Sequence, residues 1–435
     1  MRSNFSRERF QGSLYLVVEG GGKGRSANAA NPATAQSKKF FGFINLIGVS
    51  NMKKSLIALA VAGVVAAPAF AATSNVDVYG VMNIAIESAD MSATGALNNN
   101  GRDNMAVVDN VSRIGFKGSE DLGGGMKALW QIESALSNGP VNHGNTSPTV
   151  AQGASAGVGG GTNTVGNRNT FIGLAGDVGT VLMGRHDTPY KLGTGSLDIF
   201  ADTIGDYNGG SGAGTIAVGN GHSRLADSIL SGAHDARSPQ AVAYVSPTWS
   251  GFHFAAAAIM TNAAANGQNN GANKDSALDG ISMTGVYVNG PLFASLSYQK
   301  VDDADSFVGG TTTDLDKSTA TKLGLGYTFG DAKVGFAYEK VGIDIAAGGK
   351  VSRDAWLING VYNMGPIALK AQYGDVDYGK AFNGTSSKQW ALGADYNLSK
   401  RTTAYVVYAD SELKSAPAAF KIDVDGWNLG VKHSF

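Results

Sequence analysis

Apolar and polar residues alternate with a period of two over most of the chain from residue 76 onward. In the segment 76–87 the even positions are mostly apolar, whereas the odd positions carry Asp77, Asn83 and Glu87. Such alternation predicts a β-strand with one apolar and one polar face. It is weak near residues 353 and 400. Sixteen segments of this kind begin near residues 76, 105, 125, 167, 179, 239, 251, 282, 291, 319, 332, 353, 365, 387, 400 and 424.

Short and long connections alternate between these segments. Short turns such as 176–179, 289–291 and 330–331 carry Gly, Asn, Asp or Pro, and the longest connection is 187–238. Short turns at one end and long loops at the other are typical of transmembrane β-barrels. An open sheet edge would leave unpaired backbone groups in hydrocarbon, so the sheet must close. The pattern therefore predicts an all-β fold, a 16-stranded antiparallel transmembrane barrel.

The final strand supports a membrane barrel independently. Trp427, Leu429 and Val431 share one face, Lys432 lies on the other, and the chain ends on Phe435. An amphipathic strand with a terminal aromatic residue is unusual for a soluble protein. We predict that Phe435 is an assembly signal for the barrel-assembly machinery.

A secretory signal peptide is predicted inside the chain. Met52 is followed by Lys53 and Lys54, an apolar run over 56–67 and a small-x-small cleavage site before residue 72, which are the three parts of such a peptide. The sequence thus divides into 52–71 as signal peptide and 72–435 as barrel. Residues 1–51 are interpreted as an upstream extension from a wrongly assigned start codon.

The amino-acid composition excludes further classes of protein and of site. The chain has 61 glycines, no cysteine and only 16% charged residues, which excludes disulfide frameworks and thiolate metal sites. Nine of the 34 basic and two of the 35 acidic residues lie in 1–71, so residues 72–435 carry a net charge of −8. That charge argues against a nucleic-acid partner.

Four segments resemble Gram-negative general porins, in particular their β-proteobacterial and neisserial branch. They are 112–125 (SRIGFKGSEDLGGG), 78–80 (VYG), 184–189 (GRHDTP) and 430–435 (GVKHSF). The resemblance runs from residue 76 to 435. It implies a homotrimer in the outer membrane, in contact with lipid and lipopolysaccharide, that passes small hydrophilic solutes and ions. It also implies that the third external loop, 187–238, folds inward as a constriction, although the Pro-Glu-Phe-Gly sequence of enteric porins is absent there.

Candidate channel residues follow from the alternation. Arg113 and Lys117 are out of phase with the apolar Ile114 and Phe116, so they should face the lumen, and Lys127 should do the same on the next strand. The resemblance adds Arg168 and Arg185 to this basic wall. The opposing acids are expected in the folded-in loop, at Asp198, Asp202 and Asp206. Each of these charges could instead be an ordinary solvated side chain.

A count of inward-facing strand charges predicts weak anion selectivity. Besides the five wall residues, the inward set is Lys322, Lys333, Lys370 and Lys432 against Asp77, Glu87, Glu133, Glu339 and Asp395. The face assignment also predicts that Leu392→Arg is destabilising toward lipid. Gln389→Arg on the lumen face should fold normally and alter conductance.

Other functions have weaker support. The six histidines show no HExxH spacing for zinc, and no Gly-x-Ser-x-Gly sequence supports an outer-membrane hydrolase. We therefore expect neither an enzyme nor a cofactor. Two alternatives to a general diffusion channel stay open: a substrate-specific channel, and a surface adhesin that does not conduct.

Overall fold

The computed structural model describes residues 75–94, 104–136, 165–208, 228–231, 234–260, 278–302, 315–345, 348–379, 384–416 and 419–435. The predicted extension 1–51 and signal peptide 52–71 lie outside these residues. Within them, no helix is long and apolar enough to cross a membrane.

Antiparallel strands form one continuous sheet. The strands are β1 (Asn75–Thr94), β2 (Asn104–Asp109), β3 (Arg113–Gly123), β4 (Met126–Ala135), β5 (Thr170–Gly176), β6 (Gly179–Asp187), β7 (Arg237–Val245), β8 (Phe252–Ile259), β9 (Gly280–Asn289), β10 (Leu292–Asp302), β11 (Leu315–Phe329), β12 (Ala332–Ile345), β13 (Lys350–Met364), β14 (Ile367–Tyr378), β15 (Thr385–Asn397), β16 (Thr402–Ser415) and β17 (Phe420–Ser434).

The sheet closes into a 16-stranded barrel because β1 pairs with β17 on one side and with β2 and β3 on the other. β3 pairs with the first part of β1 and β2 with its later part, so the two segments form one barrel strand that is interrupted at residues 110–112. The predicted fold and strand number are therefore confirmed. Among the described strands, closure leaves none at an open edge with unpaired backbone groups, which would be costly in hydrocarbon.

The predicted turns and faces are also confirmed. Gly290, Gly330 and Gly365 have φ of 56°, 59° and 59° at short turns between strands, where two-residue hairpins favour glycine. Leu392 points outward with 54% of its surface exposed, whereas the neighbouring Gln389 is completely buried in the interior.

Aromatic side chains form a band on the outer surface of the later strands. Trp356 on β13 packs against Tyr373 on β14 with ring centroids 5.4 Å apart. Trp390 on β15 packs against Tyr408 on β16 at 5.3 Å. Such bands occur where a membrane barrel meets the lipid–water interface.

The weak alternation near residues 353 and 400 has a structural cause. On β13 the inward residues include Ala355 and Leu357, and on β16 they include Tyr405 and Val407, all of them buried. These side chains contact apolar residues of the loop between β6 and β7 rather than water. Both faces of these strands are therefore apolar, and the period-two signal fades.

Candidate functional site

The segment between β6 and β7 lies inside the barrel; we call it the constriction loop. Its described parts are 188–208, 228–231 and 234–236. It begins with a short helix, α1 (Pro189–Leu192), in which the Thr188 hydroxyl accepts a hydrogen bond from the Lys191 N–H at 3.3 Å. A 3-10 turn over Gly195–Leu197 follows. The described parts of the loop contact the inner faces of strands β9 to β17 and of β1.

Small residues on the inner wall receive the apolar side chains of the constriction loop. We call this set the socket: Gly326 faces Leu197, Gly393 faces Phe200, Gly426 faces Ile204 and Gly374 faces Ile229. A Cβ on Gly374 would lie 2.6 Å from Ile229 Cγ2, and one on Gly393 would lie 2.7 Å from Phe200 Cε1. These glycines are required by the close approach of the loop. Apolar burial therefore fixes the loop against one half of the barrel wall.

Inward polar side chains bind the backbone of the same loop. Five of them donate to its carbonyl oxygens: Lys333 to Ser196 at 3.1 Å, Asn359 to Leu197 at 2.6 Å, Lys370 to Ile199 at 3.0 Å, and Gln372 and Gln389 to Gly205 at 3.0 and 3.2 Å. Gln389 is thus an anchor of the loop. The expectation that Gln389→Arg folds without disturbance is not supported, because an arginine there would displace the loop backbone.

Two buried ion pairs hold the returning part of the loop. Arg353 binds Glu339 at 2.9 Å, and the Glu339 carboxylate also accepts hydrogen bonds from the Tyr190 hydroxyl at 2.7 Å and the Ser231 N–H at 2.6 Å. Lys322 pairs with Asp235, and both side chains are fully buried. Buried charges are tolerated when they are paired and hydrogen-bonded. The charges of Arg353 and Lys322 are therefore neutralised, and the two side chains act as structural contacts of the loop.

The three predicted loop acids lie close together. The Asp202 N–H donates to Asp206 Oδ2 at 3.2 Å. Burial disfavours the charged form of Asp202, but Arg113 at 3.0 Å and Lys432 at 3.5 Å hold its pKa well below the ordinary value. Burial raises the pKa of Asp198, and the charges of Asp206 and Asp202 raise it further. Asp202 thus touches the basic wall directly, while Asp198 shares its surroundings with two other carboxyl groups.

The predicted basic residues lie on the part of the wall that the socket leaves free. Arg168 Nε binds Glu133 Oε1 at 2.5 Å, and Lys117 lies over the Tyr79 ring, 5.2 Å from its centroid. Lys127 follows the short turn at residues 124–125. Arg185 lies close enough to the guanidinium of Arg237 for the two charges to repel each other.

Arg237, which the sequence pattern does not predict, completes this cluster. It binds Asp187 at 3.2 Å, and its charge acts on both Arg168 and Arg185. We call Arg113, Arg168, Arg185 and Arg237 the arginine group. Arg237 occupies the first position of β7, next to a long loop, where alternation gives little information about direction. Its pairing with Asp187 across β6 and β7 is the structural feature that identifies it.

Arg353, Asp235 and Lys191 were also missed. Arg353 lies in the strand whose alternation is weak, and the other two lie in the constriction loop, where no periodicity applies. One signal in the sequence does indicate where the loop packs: a row of inward glycine and alanine residues on the later strands. An aqueous lumen would not require small side chains there. Within the described residues, no cluster of three or more His, Asp or Glu side chains is arranged as a metal site.

Comparison with known proteins identifies the family. Residues 58–416 match the family model of the Gram-negative porin. Outer membrane porin protein 32 of Delftia acidovorans is 30% identical over 359 residues, which cover 81% of this chain and 88% of that protein. Among solved structures, the chain is similar to the anion-selective porin from Comamonas acidovorans, with a TM-score of 0.61, 23% identity and coverage of 83% and 100%. It is also similar to the trimer form of OmpT from Vibrio cholerae, with a TM-score of 0.53, 14% identity and coverage of 83% and 99%.

The resemblance in the four sequence segments and the closed barrel agree with these matches. The protein is a non-enzymatic channel of the outer membrane, and it belongs to the Gram-negative porin family.

Proposed function

We propose that this porin is a general diffusion channel for small hydrophilic solutes and ions with a weak preference for anions. The observation that carries the proposal is the separation of two kinds of cation inside the barrel. Lys322 and Arg353 are buried and neutralised beneath the constriction loop. Arg113, Arg168 and Arg237 are partly exposed, at 18%, 15% and 21% of their side chains. Ions in the lumen therefore meet the arginine group rather than Lys322 and Arg353.

Three basic-wall residues make no ion pair within the described part of the chain: Arg185, Lys117 and Lys127. Uncompensated positive charge along a narrow lumen raises the local concentration of anions. The acids of the constriction loop limit this effect, because Asp202 neutralises part of the charge of Arg113. A weak preference follows, rather than strict exclusion of cations. The Comamonas porin of similar fold is described as anion-selective, but the proposal for this chain rests on its own side chains.

We further propose a homotrimer. The similar OmpT fold occurs in a trimer form. In this chain the strands β4 to β8 are short, with 7 to 10 residues each. The outward side chains of β1 to β6 are mainly aliphatic, such as Val78, Ile172 and Met183. An apolar face outside the aromatic band is suited to contact another copy of the chain, and the aromatic half would then face lipid and lipopolysaccharide.

Translation is proposed to begin at Met52. Residues 52–71 would be removed during export, and residues 72–435 would be assembled by the barrel-assembly machinery, which would recognise Phe435. N-terminal sequencing of protein isolated from the outer membrane tests this division. A mature chain that begins near residue 72 supports it. A mature chain that retains residues before 52 contradicts it.

The channel itself is tested by single-channel recording of the native protein, purified from outer membranes, in a planar bilayer across a salt gradient. Conductance steps in groups of three, with a reversal potential that indicates weak anion preference, are expected. Clear cation selectivity would contradict the proposed role of the arginine group. Conductance that saturates with a single solute would favour a substrate-specific channel, and complete absence of conductance would favour an adhesin.

A further inference from the structure

The barrel strand formed by β2 and β3 is interrupted beside the tip of the constriction loop. Between Asp109 and Arg113 the chain leaves the sheet, and Val111 adopts a φ of +64°. A β-branched residue disfavours this left-handed conformation, so surrounding contacts must hold it. Asn110 donates its N–H to the Asn83 carbonyl at 2.7 Å, and Ser112 Oγ accepts the Asn83 N–H at 2.9 Å. The interruption is therefore bound to β1 at Asn83.

The tip of the constriction loop has the same unusual backbone conformation. Asp202 has a φ of +61°, and its carbonyl accepts a hydrogen bond from Asn83 Nδ2 at 2.9 Å. The same Nδ2 group donates to the Asn110 carbonyl at 3.0 Å. One side-chain amide thus joins the strand interruption to the loop tip.

The Asn83 amide is itself held in one orientation. Its Oδ1 accepts the Tyr405 hydroxyl at 2.8 Å, and that hydroxyl in turn accepts from Asn110 Nδ2 at 2.8 Å. Asn83 is completely buried. Both of its N–H donors and its oxygen are therefore committed to protein groups, and the side chain has no access to a passing ion.

The two segments joined by Asn83 also supply the contacts of one arginine. Arg113 Nη1 donates to the Val111 carbonyl at 3.1 Å and to Asp202 Oδ2 at 3.0 Å. A change in either backbone would move one of these acceptors away from the guanidinium. The degree to which Asp202 neutralises Arg113 thus depends on the hydrogen bond from Asn83 to the Asp202 carbonyl, a contact that does not involve the Asp202 carboxylate.

We propose that Asn83 is a positioning residue for ion selectivity, because it fixes Asp202 on Arg113. This inference rests on the proposed function, since it assumes that the Arg113 charge acts on permeating ions. Other side chains hold the loop without contacting Asp202. Asn359, which is also buried and donates to a loop carbonyl, at Leu197, is the matched control.

The test is a double-mutant cycle read as the anion-to-cation permeability ratio, from reversal potentials of the purified native protein. Asp202→Asn is introduced into the wild type, into Asn83→Ala and into Asn359→Ala. In the wild type the substitution removes the partner of Arg113, and the ratio should rise. In Asn83→Ala the rise should fall to less than about half of the wild-type value, because residues that act through one network are not additive. In Asn359→Ala the full rise should be retained.

Equal rises in all three backgrounds would overturn the inference while leaving the channel function intact, and so would a wild-type ratio that Asp202→Asn does not change. A wild-type protein that does not conduct would overturn the proposed function as well. If Asn83→Ala fails to fold, Tyr405→Phe removes the hydroxyl that orients the amide and preserves the strand pairing. The Asp202→Asn rise should be reduced in that background too, and an unchanged rise there would overturn the inference.

Discussion

Gly80 and Phe435 exchange two backbone hydrogen bonds, each 3.1 Å long, and the Phe435 ring covers the Cα of Gly80. The pair continues the ladder between β1 and β17, which ends at the pairing of Val81 with Ser434. The last residue of the chain therefore takes part in closing the barrel as well as carrying the proposed assembly signal.

Deletion of Phe435 is predicted to lower the yield of folded barrel in the outer membrane. Gly80 would lose both backbone partners at the seam, where unpaired groups are costly in hydrocarbon. Phe435→Ala keeps the two hydrogen bonds and loses only the ring, which separates closure from side-chain recognition. The folded fraction after extraction measures both effects. A yield for the deletion as high as that of wild type would exclude a role in closure.

Gly374→Val is predicted to displace the constriction loop without unfolding the barrel. The new side chain would overlap Ile229, and overpacking of this kind costs about 1–3 kcal/mol, which undocking of the loop relieves. Single-channel conductance should increase and become noisier. Gly360→Ala on β13 is the control, because its Cβ would meet only the Lys333 carbonyl, at an ordinary 3.6 Å. Unchanged conductance in Gly374→Val would show that the socket does not hold the loop.

Leu392→Arg is predicted to destabilise the barrel by about 2–4 kcal/mol, the cost of a charge facing mid-membrane lipid. Ser386→Arg is the control on the same strand and the same outward face, close to Lys388, where the surface is already charged. Denaturant unfolding in lipid vesicles compares the two. Similar free energies of unfolding would mean that Leu392 does not face lipid.

Arg185→Gln is predicted to lower the anion-to-cation permeability ratio by about twofold, because it removes a charge of the arginine group that has no acid partner within the described residues. Arg237→Gln should have a smaller effect, because Asp187 already neutralises part of the Arg237 charge and stays paired with Lys191, at 3.0 Å, after the substitution. Reversal potentials in a salt gradient measure both changes. A larger effect of Arg237→Gln would reverse the assigned importance of the two residues.

Selectivity is predicted to depend on pH through Asp198. Burial raises the pKa of this carboxyl well above its ordinary value, and the carboxylates of Asp206 and Asp202 raise it further. The group is neutral where a free aspartate is charged, so raising the pH adds negative charge and lowers the anion-to-cation permeability ratio. The protonated form of Asp198 also contributes to the stability of the folded protein. This contribution is lost as the pH rises through the pKa that Asp198 has in the folded state.

Asp198→Asn should abolish this pH-dependent part of the permeability ratio. Asp202 provides the comparison: it is buried as well, but Arg113 and Lys432 hold its pKa below the ordinary value, so it stays charged over the same pH range. A wild-type reversal potential that is constant from acidic to alkaline pH would contradict the prediction.

The barrel could be predicted from sequence because each strand repeats one simple physical rule. Outward residues such as Leu296 and Leu392 must be apolar, and closure requires no information beyond the alternation and the turns. The sequence predicts the start of every barrel strand to within a few residues, even for β13 and β16, where the alternation is weak.

The arrangement inside the barrel could be predicted only in part. Alternation indicates that Arg113 points inward, but it cannot show that Asp202 comes back to meet it from a distant loop. The count of inward-facing charges includes Lys322 and Lys370 as contributors to selectivity. In the structure, Lys322 is buried with Asp235, and Lys370 binds Asp395 and a carbonyl oxygen of the constriction loop. Whether a cation attracts ions or anchors a loop depends on long-range contacts that have no periodic signature.

The socket has a consequence for protein engineering. Because Gly374, Gly393 and Gly426 match the individual side chains Ile229, Phe200 and Ile204, the loop and the wall behind it form one exchangeable unit. Transplanting the constriction loop of another porin onto this barrel would bring differently shaped side chains against glycines placed for these ones. A working chimera therefore needs the inner residues of β11 to β17 to be grafted together with the loop, and the same constraint would couple the two segments during divergence from an ancestral gene.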